Sequence, residues 1–172
     1  MSSWIEEIVT RYYQINNFLV LRDYAFYLPR EKTGKKVGGW SDIDILAYNV
    51  KELHIVQCRA FLGRQKSEKE VEDIVKWFEL AEEAVRENLP NLCYGLQIQK
   101  ILILSTLQPK KAIKIVEEKG IKVKDLHTVI KETLKILKKE IKEYREKGRV
   151  GYYSDPLLAL MREMIIMKII KI

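Results

Sequence analysis

The chain has 172 residues, enough to bury a sizeable core in one domain. Hydrophobic residues make up 47% and charged residues 32%, with only 8 Gly and 4 Pro, which excludes a disordered chain and leaves no room for a long flexible linker. A formal charge of +7 favours polyanionic partners, nucleic acid ahead of anionic lipid.

In chain order, the first predicted element is a helix. Ser2 or Ser3 can cap it, and Ile5, Ile8, Val9 and Tyr12 fall on one face before Asn16 and Asn17 stop it. Glu6 and Glu7 suit a helix N-terminus. They also stand where a signal peptide needs an apolar core, so the expected location is cytoplasmic. Residues 18–28 are rich in β-branched and aromatic types and read as a strand. Residues 29–39 form a basic, glycine-containing loop with Arg30, Lys32, Lys35 and Lys36, either a solvated tip or a clamp on a phosphate backbone. Residues 43–48 and 53–58 read as two strands joined by a turn at Asn49-Val50-Lys51-Glu52.

A long helix opens at Ser67, with Glu70 placed for a capping box and Val71, Ile74, Val75, Phe78, Ala81 and Val85 as its apolar stripe. Residues 89–95 are a turn-rich break, and residues 98–105 are a continuous apolar run suited to a strand buried on both faces. Pro109 starts the next helix and Gly120 ends it. Residues 121–126 form a short strand, residues 128–147 a helix, and Asp155-Pro156 begins a last helix. Early strands can pair as a meander, whereas later strands separated by helices need parallel crossovers. The predicted class is α/β, a mixed sheet flanked by helices, with a core over residues 1–130 and a C-terminal helical extension of the same domain over residues 131–172. No membrane partner is expected, because Arg162, Glu163, Lys168 and Lys171 interrupt the most apolar segment. Cys58 and Cys93 read as free thiols, and His54 and His127 have no partner at ligand spacing.

The stretch GGWSDIDILAYNVKELHIVQCRA, from Gly38 to Ala60, concentrates the chemistry. Phosphodiester hydrolysis needs an activated water and positive charge against the developing phosphorane, and a divalent metal supplies both. Mg²⁺ takes oxygen ligands, commonly carboxylates, a main-chain carbonyl and waters. Asp44 lies in a predicted strand, and Asp42 points to the same face by the period of two. Gln57 and Arg59 share one face of the next strand. Cys58 points the other way, so only its carbonyl could reach a metal. Antiparallel pairing sets Asp44 opposite the far end of that strand. Plainer readings stand beside these. Asp42 and Asp44 could be turn and strand-edge residues, Gln57 an interior amide, and Arg59 a salt-bridge partner of either acid. Trp40 could pack on the sheet or stack on a base.

This layout resembles the PD-(D/E)XK nuclease superfamily, and within it the Mrr-type restriction endonucleases and archaeal Holliday-junction resolvases. The resemblance rests on Glu6 in WIEEIV, Asp44 in SDIDILAYN and the run Val56-Gln57-Cys58-Arg59, with Gln57 thirteen residues after Asp44. The later ILILST and GIKVKDL segments resemble the rest of that core. It implies a restriction-endonuclease-like fold and a Mg²⁺- or Mn²⁺-dependent DNA endonuclease. Asp44, Gln57 and the Cys58 carbonyl would be metal ligands, with Asp42 a further candidate. Glu6 would assist through a water and Arg59 would contact the scissile phosphate. Arg30, Lys32, Lys35, Lys36, Trp40, Arg64 and Lys66 are the candidate nucleic-acid contacts. Homodimers are common in such families, and residues 157–172, with Met161, Met164 and Met167, are the candidate seam.

Two departures from the family pattern bear on catalysis. Gln57 supplies a neutral oxygen in place of a carboxylate. Arg59 stands where the family has lysine; it stays protonated and cannot act as a base, although it can hold a phosphate bidentately. Alternatives follow: a lysine relocated to Lys51 or Lys66, or a catalytically impaired module that binds DNA or docks in a complex. A protein–protein role through residues 157–172 alone is a third.

Overall fold

The computed structural model describes residues 3–33, 37–60, 67–106, 110–147 and 155–170. The chain divides into two compact units, Met1–Leu126 and His127–Ile172.

The first unit opens with α1 (Trp4–Ile15). Ser3 caps it: its Oγ accepts from the Glu6 N–H at 3.3 Å and donates to Glu6 Oε1 at 2.7 Å. Asn17 ends the turn with φ 64°, a left-handed conformation that Asn tolerates better than most residues. Strand β1 (Leu19–Leu28) follows, then one short helical turn, α2 (Arg30–Thr33), inside the segment expected to be loop. Strands β2 (Gly39–Tyr48) and β3 (Glu52–Arg59) form a hairpin whose turn is closed by Asn49, with Oδ1 accepting from the Lys51 and Glu52 N–H groups at 2.8 and 3.0 Å. β2 starts at Gly39, earlier than its apolar run suggests, because its polar first half pairs with β1 from Leu28↔Gly39 onward.

Helix α3 (Ser67–Asn88) leads through the single turn α4 (Pro90–Cys93) to β4 (Gln97–Leu104). Helix α5 (Lys110–Glu118) then crosses to β5 (Ile121–Asp125), and Gly120 makes the turn at φ 76°. The sheet order is β1-β2-β3-β4-β5. The first two pairings are antiparallel and the last two parallel, so β2 alone runs against the other four. This is the meander followed by crossovers expected from the spacing of helices.

One sheet face carries α3 and α5. Phe78, Ile74 and Ala81 of α3 are buried there with Ile55 of β3 and Leu102 and Leu104 of β4. The other face receives α1, whose Tyr13 hydroxyl lies 3.1 Å from His54 Nδ1 on β3. Burial from both sides is why β2 and β3 each contain an unbroken buried run rather than an alternating one. The second unit contains α6 (Leu126–Glu146), inside which the sequence-based boundary at residue 130 falls, and α7 (Pro156–Ile166), capped by Asp155. No described helix is long and apolar enough to cross a membrane.

Phe78 is fully buried in the α3 layer. Replacing Phe78 by Ala should cost about 3–5 kcal/mol of stability, read from urea unfolding, through lost transfer energy and the cavity left behind.

A forked sheet end as the candidate active site

The β2–β3 ladder is short. It runs from Tyr48↔Leu53 to Ile45↔Val56 and stops there. Beyond that point β2 continues on β1 to Gly39, and β3 continues on β4 to Arg59↔Leu104. The two strands therefore part, and Asp44 is the first β2 residue past the split. Its Oδ2 accepts from the Cys58 N–H at 2.6 Å, taking the place of the missing strand partner. The Arg59 carbonyl turns the other way and accepts from the Ser105 N–H at 3.0 Å. Alternation along β3 then directs the Cys58 carbonyl, like its N–H, into the fork.

Asp44 also marks a break in strand alternation. Ile43, opposite Tyr24, and Leu46, opposite Ile55, both face the α3 core although they are three positions apart. The facing must switch once between them. On β1 the register skips Asp23, the residue across from Asp44, and Asp23 has φ 53°. The simple period that set Asp42 and Asp44 on one face therefore does not carry through Asp44. Asp42 is exposed, whereas Asp44 is 7% exposed.

Burial pushes the Asp44 carboxyl up to about 7. The Cys58 N–H pulls it down, the charges of Glu6 and Asp42 push it up, and Arg59 pulls it down. Asp44 thus feels every acid proposed for the site. Glu6 projects from the first turn of α1, held by Ser3 and with Arg22 Nη2 3.8 Å from its Oε2. The Cys58 side chain lies on the α1 side, where burial and then the charges of Asp44 and Glu6 raise its thiol far above the usual range. Gln57 and Arg59 lie on the opposite face, level with Leu102 and Leu104 of the α3 core. Glu6 and the Gln57–Arg59 pair thus approach the fork from different faces, and Asp44 sits between them.

Gln57 Oε1 is buried without a hydrogen-bond partner among the described residues. A buried amide oxygen left unmatched costs about 1–3 kcal/mol, and a hard cation or an ordered water would satisfy it. Arg59 is half-buried, and its side chain has no ion pair or hydrogen bond among the described residues. Among those residues no group of three or more His, Cys, Asp and Glu side chains is placed to hold a metal. A cation here would depend on one buried carboxylate, one amide and one main-chain carbonyl, and that oxygen donor set fits Mg²⁺ or Mn²⁺.

The remaining candidates are scattered. Lys32 is engaged with Glu83 on α3. Arg30 is exposed on α2, and Trp40 is exposed beside Tyr27. Lys51 lies in the hairpin turn, at the opposite end of β3 from the fork, so it does not replace the motif lysine. Lys35, Lys36, Arg64 and Lys66 lie outside the described residues. Sequence reasoning missed Arg22, which pairs with Glu7 at 2.6 Å as well as reaching Glu6. It also missed Tyr27, because the register that sets Tyr27 beside Trp40 spans a long connection that no local pattern fixes.

No family model matches the chain and no curated protein matches it. Among solved structures it is similar to a protein of unknown function, AF1548, at 18% identity and a TM-score of 0.45, over 70% of this chain and 55% of that one. It is also similar to protein VC1899 from Vibrio cholerae at 12% identity and a TM-score of 0.46, over 86% of this chain and 33% of that one. The chain thus spans about half and a third of these two proteins.

The folded chain keeps a proton on Asp44 up to about pH 7, whereas the unfolded chain releases it near 3.8. Stability therefore falls as pH rises through that window. Asp44→Asn retains an oxygen for the Cys58 N–H and removes the charge. Near pH 8 it should be more stable than the parent by about 1–3 kcal/mol, and near pH 4 the gain should disappear. Urea unfolding at both pH values measures this, and a gain independent of pH would show that the acid is not held at a charge cost.

Proposed function

We propose that this chain is a metal-dependent endonuclease of restriction-endonuclease-like fold that hydrolyses DNA phosphodiester bonds. The observation that carries the reading is the fork itself, where buried Asp44 accepts from the Cys58 N–H and the preceding residue, Gln57, keeps an unmatched amide oxygen. The sheet order and the placement of Glu6 on a preceding helix support it. In this reading Asp44, Gln57 and the Cys58 carbonyl would hold Mg²⁺ or Mn²⁺. The bound cation would supply an acidified water and charge against the phosphate.

The chain's own groups have separate tasks. Asp44 must lose its proton to serve as a ligand, so function should rise with pH toward and past 7. Arg59 carries a fixed positive charge and two parallel donors for the phosphoryl oxygens. Glu6 orients a water near Asp44. Hydrolysis joins that water's oxygen to phosphorus while the water's proton passes to solvent, breaks the bond to the departing sugar oxygen, and leaves that oxygen to take a proton from solvent.

Arg59 also favours a second reading, a nuclease-fold module that binds DNA and cleaves poorly or not at all, because no described lysine replaces the motif amine at the fork. Incubation with duplex, flapped and four-way DNA plus Mg²⁺ or Mn²⁺ separates the two. Cleavage should occur and fall on the order of 10²-fold or more in Asp44→Ala. Cleavage that persists in that variant would remove the fork from the reaction. Cleavage seen only after Arg59→Lys would establish the second reading. The exposed Leu160, Met167 and Ile169 of the second unit are the surface we assign to a homodimer. Sedimentation should give twice the chain mass, reverting toward the monomer in Leu160→Glu.

A further inference from the structure

Beyond the fork, β1 and β2 continue as a two-stranded wing with unlike faces. Phe26 and Ile43 are buried on the α3 side, where Ser41 Oγ accepts from the Trp77 indole N–H at 3.0 Å. On the other side Ala25, Tyr27, Trp40 and Asp42 are all exposed. Tyr27 and Trp40 are register partners, 53% and 75% exposed, with ring centroids 5.7 Å apart and planes at 71°. An edge-on contact of this kind leaves at least one face of each ring open. Gly38 lies under the tyrosine: a Cβ there would fall 2.3 Å from the Tyr27 hydroxyl, so a side chain at this position would displace the ring. Trp40 precedes Asp42 by two residues on the same face, roughly 7 Å along the strand, and Asp44 lies roughly 7 Å further.

From this geometry we infer that Tyr27 and Trp40 form a stacking platform for an unpaired nucleobase of the strand held at the fork, so that the site takes single-stranded DNA or a single-stranded flap in preference to continuous duplex. The inference rests on the proposed function and names its substrate class. A paired base has both faces covered by its neighbours in the stack, whereas an unpaired base can lie on an open ring, and stacking of this kind tolerates any base. The rings carry no charge to hold a phosphate, and Asp42 beside them would repel one, so the platform reads bases rather than backbone.

Fluorescence anisotropy with a labelled single strand and a duplex of equal length, in EDTA, tests the platform apart from cleavage. Trp40→Ala should weaken the single strand about 5- to 100-fold and the duplex less than about 2-fold, with Trp40→Phe retaining most of the affinity. Gly38→Ala should weaken the single strand in the same sense. Equal losses for strand and duplex, or binding insensitive to Trp40, would overturn the platform. Metal-dependent cleavage that is indifferent to Trp40→Ala would sink the platform and leave the nuclease reading standing. Trp40-dependent binding with no cleavage under any metal would do the reverse. Thermal melting confirms that each variant is folded.

Discussion

The hydrogen bond from the Cys58 N–H to Asp44 is the contact on which the site depends. Where β2 and β3 separate, β3 loses its partner on one side while remaining paired with β4 on the other. A main-chain N–H left bare at such a place costs about 1–3 kcal/mol. A neutral side-chain oxygen would satisfy it. The chain instead places a carboxylate there, in surroundings that raise its pKa to about 7. The acid is thus held at a charge cost where an amide would serve the fold.

The same irregularity organises the helix in front of the sheet. The facing switch at Asp23 and Asp44 turns Arg22 toward α1, while Tyr24 and Phe26 face α3. Arg22 then meets Glu7 and Glu6, and Arg11 holds Glu7 from within the helix at 2.6 Å. The first turn of α1 is thereby fixed at its cap by Ser3 and on its acidic side by arginine. Glu6 is positioned near Asp44 by contacts separate from the fork. One kink in a two-stranded segment thus aims an acid inward and supplies the cation that anchors its neighbour.

Most of the architecture was legible because local chemistry and global topology agree. The stripe Val71, Ile74, Val75, Phe78, Ala81 and Val85 gave α3, and Gly120 marked the end of α5, whose expected start at Pro109 lies outside the described residues. Helices between the later strands required parallel pairing, and the short turn after Tyr48 required an antiparallel hairpin. The site was legible only as a list of residues. Asp44, Gln57 and Arg59 stand out by type and spacing, but their geometry depends on a ladder that ends early and on a residue at positive φ. A strand pattern read with period two assumes that neither occurs. The start of β2 was misplaced for a related reason: Gly39 to Asp42 are polar and enter the strand only through pairing with β1. Tyr27 carried no signal, since its pairing with Trp40 is a property of register.

Gln57 and Arg59 are better understood together than as two separate departures. A pattern with an acid and a lysine at these positions sums to no net charge, whereas an amide and a guanidinium sum to one positive. Relative to the family pattern it resembles, the pair would hold a cation less and a phosphate more, and it lacks an amine that could give up a proton. The carboxyl that burial has moved to about 7 is that of Asp44. In the proposed reading a protonated Asp44 would leave Arg59 to favour an anion, and an ionised Asp44 would admit a cation beside it. In the same reading a metal at Asp44 would have to displace that proton, and the positive charge of Arg59 would oppose the metal while favouring a phosphate.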